Sequence, residues 1–146
     1  DQAAKVPHHL SFGQRKRAAF ATVLSMRPPV LVLDEPTSNL DPRSRMEMVS
    51  LIREQQRNGT AIITATHDVN LVPLLADRIL LLNRSIVAEG SVHQIMSRRD
   101  LMDDLGLEMP ILADLFETLQ EEGLYSGAIP FKKDEAVGAI REMLHR

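Results

Sequence analysis

The sequence has no cysteine and no tryptophan, and only one tyrosine and four phenylalanines among its 146 residues. Without cysteine there is no disulfide framework, no thiolate metal site and no thiol nucleophile, a pattern compatible with a reducing compartment. Five scattered aromatics leave no platform on which bases could stack. Long apolar runs are missing too. Charge or a turn interrupts every candidate, as after Val30–Leu33 and Ile79–Leu82, well short of the roughly 20 residues that a spanning helix needs. Charge of one sign is also scarce: the formal net charge is −3, which removes the usual electrostatic reason to expect a nucleic-acid partner. The first residues, Asp-Gln-Ala-Ala-Lys, are neither an initiator methionine nor a signal peptide, and suggest a piece of a longer chain. What is present is ordinary globular material, 44% hydrophobic and 25% charged, at a length suited to one core with a small appendage.

Periodicity divides the chain after Ser97. Residues 10–97 alternate helical patterns with short apolar runs, which predicts an α/β architecture with a parallel sheet flanked by helices. A helix is expected from Ser11–Gln14 to about Met26, with Phe20, Val23 and Leu24 on one face, until Pro28-Pro29 stops it. Val30-Leu31-Val32-Leu33 reads as a strand buried on both faces. Asp41-Pro42 supplies an N-cap and a first helical residue, and Asn58-Gly59 closes that helix. Thr60–Thr64 reads as a second buried strand. Asp68 could cap a helix beginning at Val69, but Pro73 then demands a kink or a later start near Val72. Ile79–Leu82 and Ile86–Ala88 suggest a hairpin around Asn83–Ser85, and Gly90-Ser91 introduces a short helix to about Met96. Beyond Ser97 strand signals vanish. Pro110 opens an amphipathic helix carrying Ile111, Leu112, Leu115, Phe116 and Leu119, and a last helix is expected over Asp134–Leu144.

Three strings could carry chemistry. Val30–Leu33 delivers the carboxylates Asp34 and Glu35 to the C-terminal end of a strand, where open α/β sheets bind ligands. One carboxylate there could hold a hydrated Mg²⁺ and its neighbour could orient or deprotonate a water, with Asp34 serving the metal and Glu35 the water. Leu10-Ser11-Phe12-Gly13-Gln14 opens a helix whose first amides, aided by the Ser11 hydroxyl, could receive a phosphate, while Gly13 would permit a close approach. Arg15, Lys16 and Arg17 then stand in the first turns, where cations oppose the helix dipole unless an anion offsets them. His67 follows the second buried strand and would emerge at the same sheet edge as Asp34 and Glu35 if the strands are parallel neighbours. Each string also has a plain structural reading: an acidic turn, a Ser-capped surface helix, a turn histidine. His8-His9 lacks a third ligand and its side chains diverge, so it makes a poor metal site. His93 and His145 read as surface residues, and the seven methionines, Met48 and Met96 among them, as core filling.

In order and spacing, Leu10–Gln14, Val30–Glu35, Ser38-Asn39-Leu40-Asp41 and His67 resemble the signature motif, Walker B segment, D-loop and switch histidine of an ATP-binding-cassette ATPase. The resemblance covers residues 1–97, as the C-terminal portion of a P-loop NTPase domain, with residues 98–146 as a helical extension. It implies a head-to-tail dimer that sandwiches ATP and Mg²⁺. Ser11, Gly13 and Gln14 would contact the nucleotide held by a second ATPase subunit. Asp34 would support Mg²⁺ through water, Glu35 would polarise the attacking water, His67 would sense the γ-phosphate and Asp41 would cross the dimer interface. Two departures stand out: Phe12 occupies the place of a second glycine, and no G-x-x-x-x-G-K-[ST] phosphate loop occurs in residues 1–146. The segment alone is therefore expected to be inactive. In this family the phosphate-loop strand lies between the strands of Thr60–Thr64 and Ile79–Leu82, so a gap is expected there.

Pro7-His8-His9-Leu10-Ser11-Phe12-Gly13-Gln14, His67-Asp68-Val69 and the tail from Leu105-Gly106-Leu107-Glu108-Met109-Pro110 to Leu115-Phe116 narrow the resemblance to the cobalt/nickel branch of the energy-coupling-factor importers. Membership implies a peripheral ATPase on the cytoplasmic face of the membrane, bound to transmembrane subunits that select the ion. An ATP-binding-cassette ATPase for another cargo or for DNA repair or translation, and a non-catalytic truncated module, are the competing readings.

Overall fold

Local punctuation sets most of the elements, as a computed structural model describing residues 10–145 shows. Ser11 caps α1 (Phe12–Ser25) through a capping box: its hydroxyl accepts from the Gln14 amide at 3.2 Å while the Gln14 side chain accepts from the Ser11 amide at 3.0 Å. Pro28-Pro29 then separates α1 from β1 (Val30–Asp34). Asp41 caps α2 (Pro42–Arg57), with proline inside the first turn where its missing amide costs nothing. Asn58 ends that helix, and Gly59 follows with φ of +92°, a left-handed conformation that suits glycine. β2 (Ala61–Ala65) pairs in parallel with β1, in register Val30 with Ala61 through Asp34 with Ala65. The parallel α/β expectation holds.

Packing separates the chain into a first compact unit ending at Thr66 and a second beginning at His67. In the first, the buried apolar side chains are Phe20 of α1, Leu31 of β1, Leu40, and Met48, Val49 and Ile52 of α2. The expectation that β1 is buried on both faces is overturned. Leu31 is 3% exposed, but Val30 and Val32 are 50% and 70% exposed, and Ile63 of β2, paired with Val32, is 60% exposed. The strands form a two-stranded sheet whose Val32–Ile63 face has no cover among the described residues, so the burial alternates as in a sheet covered on one side.

In the second unit, α3 (Val72–Leu75) begins late, with Pro73 in its first turn. Asp68 is not its cap: its carboxylate accepts from the Asn70 amide at 3.2 Å in a local turn. β3 (Arg78–Asn83) and β4 (Ser85–Ser91) form the expected antiparallel hairpin, turning at Arg84 with φ of +61°. This pair is a separate sheet from β1–β2. Ser91 and Gln94 make a second capping box for α4 (Val92–Met96). Four helices then complete the chain with α5 (Arg99–Asp104), α6 (Ile111–Glu121) and α7 (Lys133–Leu144) after α4. Nothing in the sequence reading anticipated α5, which has six residues and no side-chain cap. The hairpin and the helical tail share one core: Ile79, Ile95, Met96, Met102, Ala113 and Phe131 cluster together. Packing therefore breaks the chain after Thr66, whereas motif content changes after Ser97. His93 is exposed, with its ring edge-on to Phe131 at 4.8 Å, and His145 is exposed at the end of α7.

Candidate functional site

The first unit gathers most of the residues singled out from the sequence. α1 and α2 meet at their N-termini: a Cβ on Gly13 would stand 3.2 Å from the Ser44 hydroxyl and 3.5 Å from Leu40. The close approach that Gly13 permits here is that of a neighbouring helix. In the capping box the Ser11 hydroxyl oxygen accepts from the Gln14 amide and the Gln14 side-chain oxygen accepts from the Ser11 amide, so the box uses neither the hydroxyl hydrogen nor the Gln14 side-chain NH2. The amides of Phe12 and Gly13, as the first two helical residues, have no carbonyl in their own helix to bond, which is the arrangement that suits an anion. Phe12 is 44% exposed, with the Arg15 and Lys16 cations 5.8 and 5.4 Å from its ring centre.

β1 ends on Asp34, exposed and in register with Ala65, and Glu35 follows in a left-handed backbone conformation with φ of +44°. A non-glycine residue there costs roughly 1–2 kcal/mol, so the turn must be held by its surroundings. The Glu35 amide donates to the Ala65 carbonyl at 2.9 Å, and the Thr66 hydroxyl donates to the Glu35 carboxylate at 3.3 Å. Lys16 reaches across from α1, donating to the Glu35 carbonyl at 2.7 Å and to the carbonyl and hydroxyl oxygens of Ser38 at 2.9 Å each. Burial lowers the Lys16 pKa and the Glu35 charge opposes that. Asn39 also adopts a positive φ, +57°, and Asp41 accepts from the Ser44 amide at 3.0 Å.

Thus Ser11, Gly13, Gln14, Asp34, Glu35 and Asp41 all lie in the first unit. His67 is exposed and opens the second, immediately after Thr66 in sequence. His8 and His9 lie outside the described residues, as does Pro7. No group of three metal-ligating side chains occurs among the described residues. A lone exposed carboxylate, Asp34, fits an ion such as Mg²⁺ that keeps most of its water and needs no protein cage.

Lys16, Ser38 and Thr66 contact Glu35, and sequence reasoning gave none of them that role. Lys16 carried a signal: Gly13, Lys16 and Phe20 share a helix face at spacings of three and four, and the first and third are buried. A cation on that stripe must find acceptors inside.

Asp41 yields a pH prediction. Its hydrogen bonds with Ser44 hold its pKa below the ordinary 3.8. A carboxylate with a depressed folded pKa contributes stability above its unfolded value and loses it as pH falls through the folded one. The parent is therefore expected to lose thermal stability below about pH 4, and Asp41→Asn, which still caps but cannot titrate, is expected to shrink that loss in melts run from pH 6 downward.

Comparison with known proteins adds four likenesses. Residues 5–72 match the family described as "AAA domain, putative AbiEii toxin, Type IV TA system". The chain is similar to the energy-coupling factor transporter ATP-binding protein EcfA of Methanosphaera stadtmanae, 44% identical over 143 residues, covering 96% of this chain and 51% of EcfA. Among solved structures it is similar to CbiO1 from Clostridium perfringens, part of the ABC transporter complex CbiONQ, with a TM-score of 0.59 and 39% identity over 76% of this chain and 45% of CbiO1. It is also similar to the ATP-binding cassette MJ0796, solved as a dimer in a post-hydrolysis state bound to ADP and Pi, with a TM-score of 0.55 and 29% identity over 62% of this chain and 39% of the cassette. The chain spans about half the length of the curated relatives it matches.

Proposed function

The chain belongs to the ATP-binding proteins of ATP-binding-cassette (ABC) transporters, and from that premise we propose that it forms the C-terminal portion of an ATPase that energises an importer of cobalt or nickel ions. The observation that carries the catalytic part of this reading is the pair Asp34–Glu35 at the end of a parallel strand, tied through Lys16 to the helix that begins at Ser11. The family likeness supports the reaction, and the cargo rests on the resemblance carried by Pro7–Gln14, His67–Val69 and Leu105–Phe116.

When bound, Mg·ATP supplies the electrophilic phosphorus and a cation that neutralises charge on the phosphate oxygens. Glu35 orients the attacking water and takes up its proton, a task for a carboxylate anchored by Thr66 and held on a fixed turn. Asp34 would support the ion through water. The Phe12 and Gly13 amides, the Ser11 hydroxyl and Gln14 receive the phosphates of a nucleotide carried by a second ATPase subunit, so that closure of the pair completes each site. His67 donates to the γ-phosphate and Asp41 reaches toward the second subunit across the interface. Transmembrane subunits select the ion, and the ATPase works at the cytoplasmic face of the membrane without crossing it. The described residues contain no helix long and apolar enough to do so.

The test compares the longer protein, including the phosphate-loop region, with residues 1–146 alone. The longer protein is expected to hydrolyse ATP, and to do so in step with uptake of labelled cobalt or nickel when assembled with its membrane subunits. Residues 1–146 are expected to give no hydrolysis above a blank, since the loop's amides and lysine are the largest source of nucleotide affinity. A longer protein that binds ATP without turnover would make it a non-catalytic module; turnover coupled to a different cargo would remove cobalt and nickel.

A further inference from the structure

We propose that Lys16 is a positioning residue for ATP hydrolysis, holding Glu35 in its working orientation from the helix that carries Ser11 and Gly13; the inference rests on the role given to Glu35 above. All three ammonium hydrogens have acceptors in one short turn: the Glu35 carbonyl at 2.7 Å and the carbonyl and hydroxyl oxygens of Ser38 at 2.9 Å each. The Ser38 hydroxyl also donates to the Glu35 carbonyl at 3.0 Å, so lysine and serine brace the same oxygen. That oxygen belongs to the residue with φ of +44°, a conformation that relaxes unless its surroundings enforce it.

The consequence for chemistry is geometric. The Glu35 carboxylate is carried on a backbone whose dihedral angles Lys16 restrains, so a small change in φ or ψ swings the carboxylate relative to a water that it must address. Displacement of a catalytic group by about 1 Å costs on the order of 10²-fold in rate. Lysine suits this post because its ammonium is a point donor with three diverging hydrogens, whereas the planar arginine fork matches paired, coplanar acceptors. Lys16 also lies about one turn from Ser11 on α1, so the helix proposed to meet one nucleotide is mechanically joined to the turn that serves the other.

In the longer protein, Lys16→Met keeps the apolar stem and removes the ammonium. It is expected to lower kcat roughly 10- to 100-fold with KM for ATP within about twofold of the parent. Lys16→Arg is expected to recover part of the loss. Glu35→Gln measured alongside separates the two ideas. Normal turnover by Glu35→Gln would end the assignment of Glu35 and the inference with it. An inactive Glu35→Gln beside a Lys16→Met enzyme at near-parent kcat would overturn the inference alone, as would a kcat loss fully explained by a lower folded fraction in a thermal melt. Should Lys16→Met not fold, Ser38→Ala decides: it removes an acceptor of Lys16 and the second brace on the Glu35 carbonyl. A kcat decrease at constant KM supports the proposal, and an unchanged kcat defeats it.

Discussion

Glu35→Gln in the longer protein is expected to bind ATP with near-parent affinity and to lose turnover by about 100-fold or more, the range in which general-base catalysis operates. The substitution is close to isosteric, and three hydrogen bonds that hold the turn do not require the charge of the side chain. The Glu35 amide bonds the Ala65 carbonyl, Lys16 bonds the Glu35 carbonyl, and Thr66 can donate to an amide oxygen as it does to the carboxylate. What disappears is the basicity. A rate loss with affinity retained, read by nucleotide binding and single-turnover hydrolysis, assigns Glu35 to the chemical step. Loss of affinity would instead point to a collapse of the turn, and near-normal turnover would remove Glu35 from the reaction altogether.

How much of this site could be read from the amino-acid order follows from the range of the interactions involved. Ser11 with Gln14, Asp41 with Pro42, Asn58 with Gly59 and Ser91 with Gln94 act over a few residues, and the elements that they bound stand where the pattern put them. Asp68 misled because a local turn bond to Asn70 uses the same side-chain chemistry as a helix cap. The apolar run Val30–Leu33 is a sequence suited to two covered faces, yet only the Leu31 side is covered here. The strip of Val32 and Ile63 stays open among the described residues. α5 was illegible because six residues without a cap gain their helical conformation from Leu101 and Met102 entering the core, a tertiary event. Lys16 is the instructive case. Judged by its own helix it is a cation at the wrong end of a dipole; its acceptors lie 19 and 22 residues away, beyond the reach of any local rule.

Phe116→Ala is expected to cost about 3–5 kcal/mol of stability in the second unit, the largest folding effect that a single side chain there should produce. Phe116 is fully buried on α6 and packs with Ala136 and Ala139 of α7, two small residues that cannot expand into the space it would leave. Its ring meets that of Tyr125 edge-on at 5.0 Å, and the Tyr125 hydroxyl donates to the Ala128 carbonyl at 2.6 Å. Ile129 packs on this cluster and also on the one formed by the hairpin and α4–α6. Damage at Phe116 should therefore spread to β3–β4 instead of stopping at the tail, if packing and not motif content defines the cooperative unit. The sequence provides the probe: within residues 1–146 Tyr125 is the only tyrosine and there is no tryptophan, so in that segment tyrosine emission and near-ultraviolet dichroism report this environment. Denaturant unfolding followed by Tyr125 should shift to lower midpoint in Phe116→Ala, with amide exchange in β3–β4 accelerating in parallel. Acceleration confined to residues after Ser97 would instead show that the tail unfolds as a separate extension, and the division by motif content would then also be the division by stability.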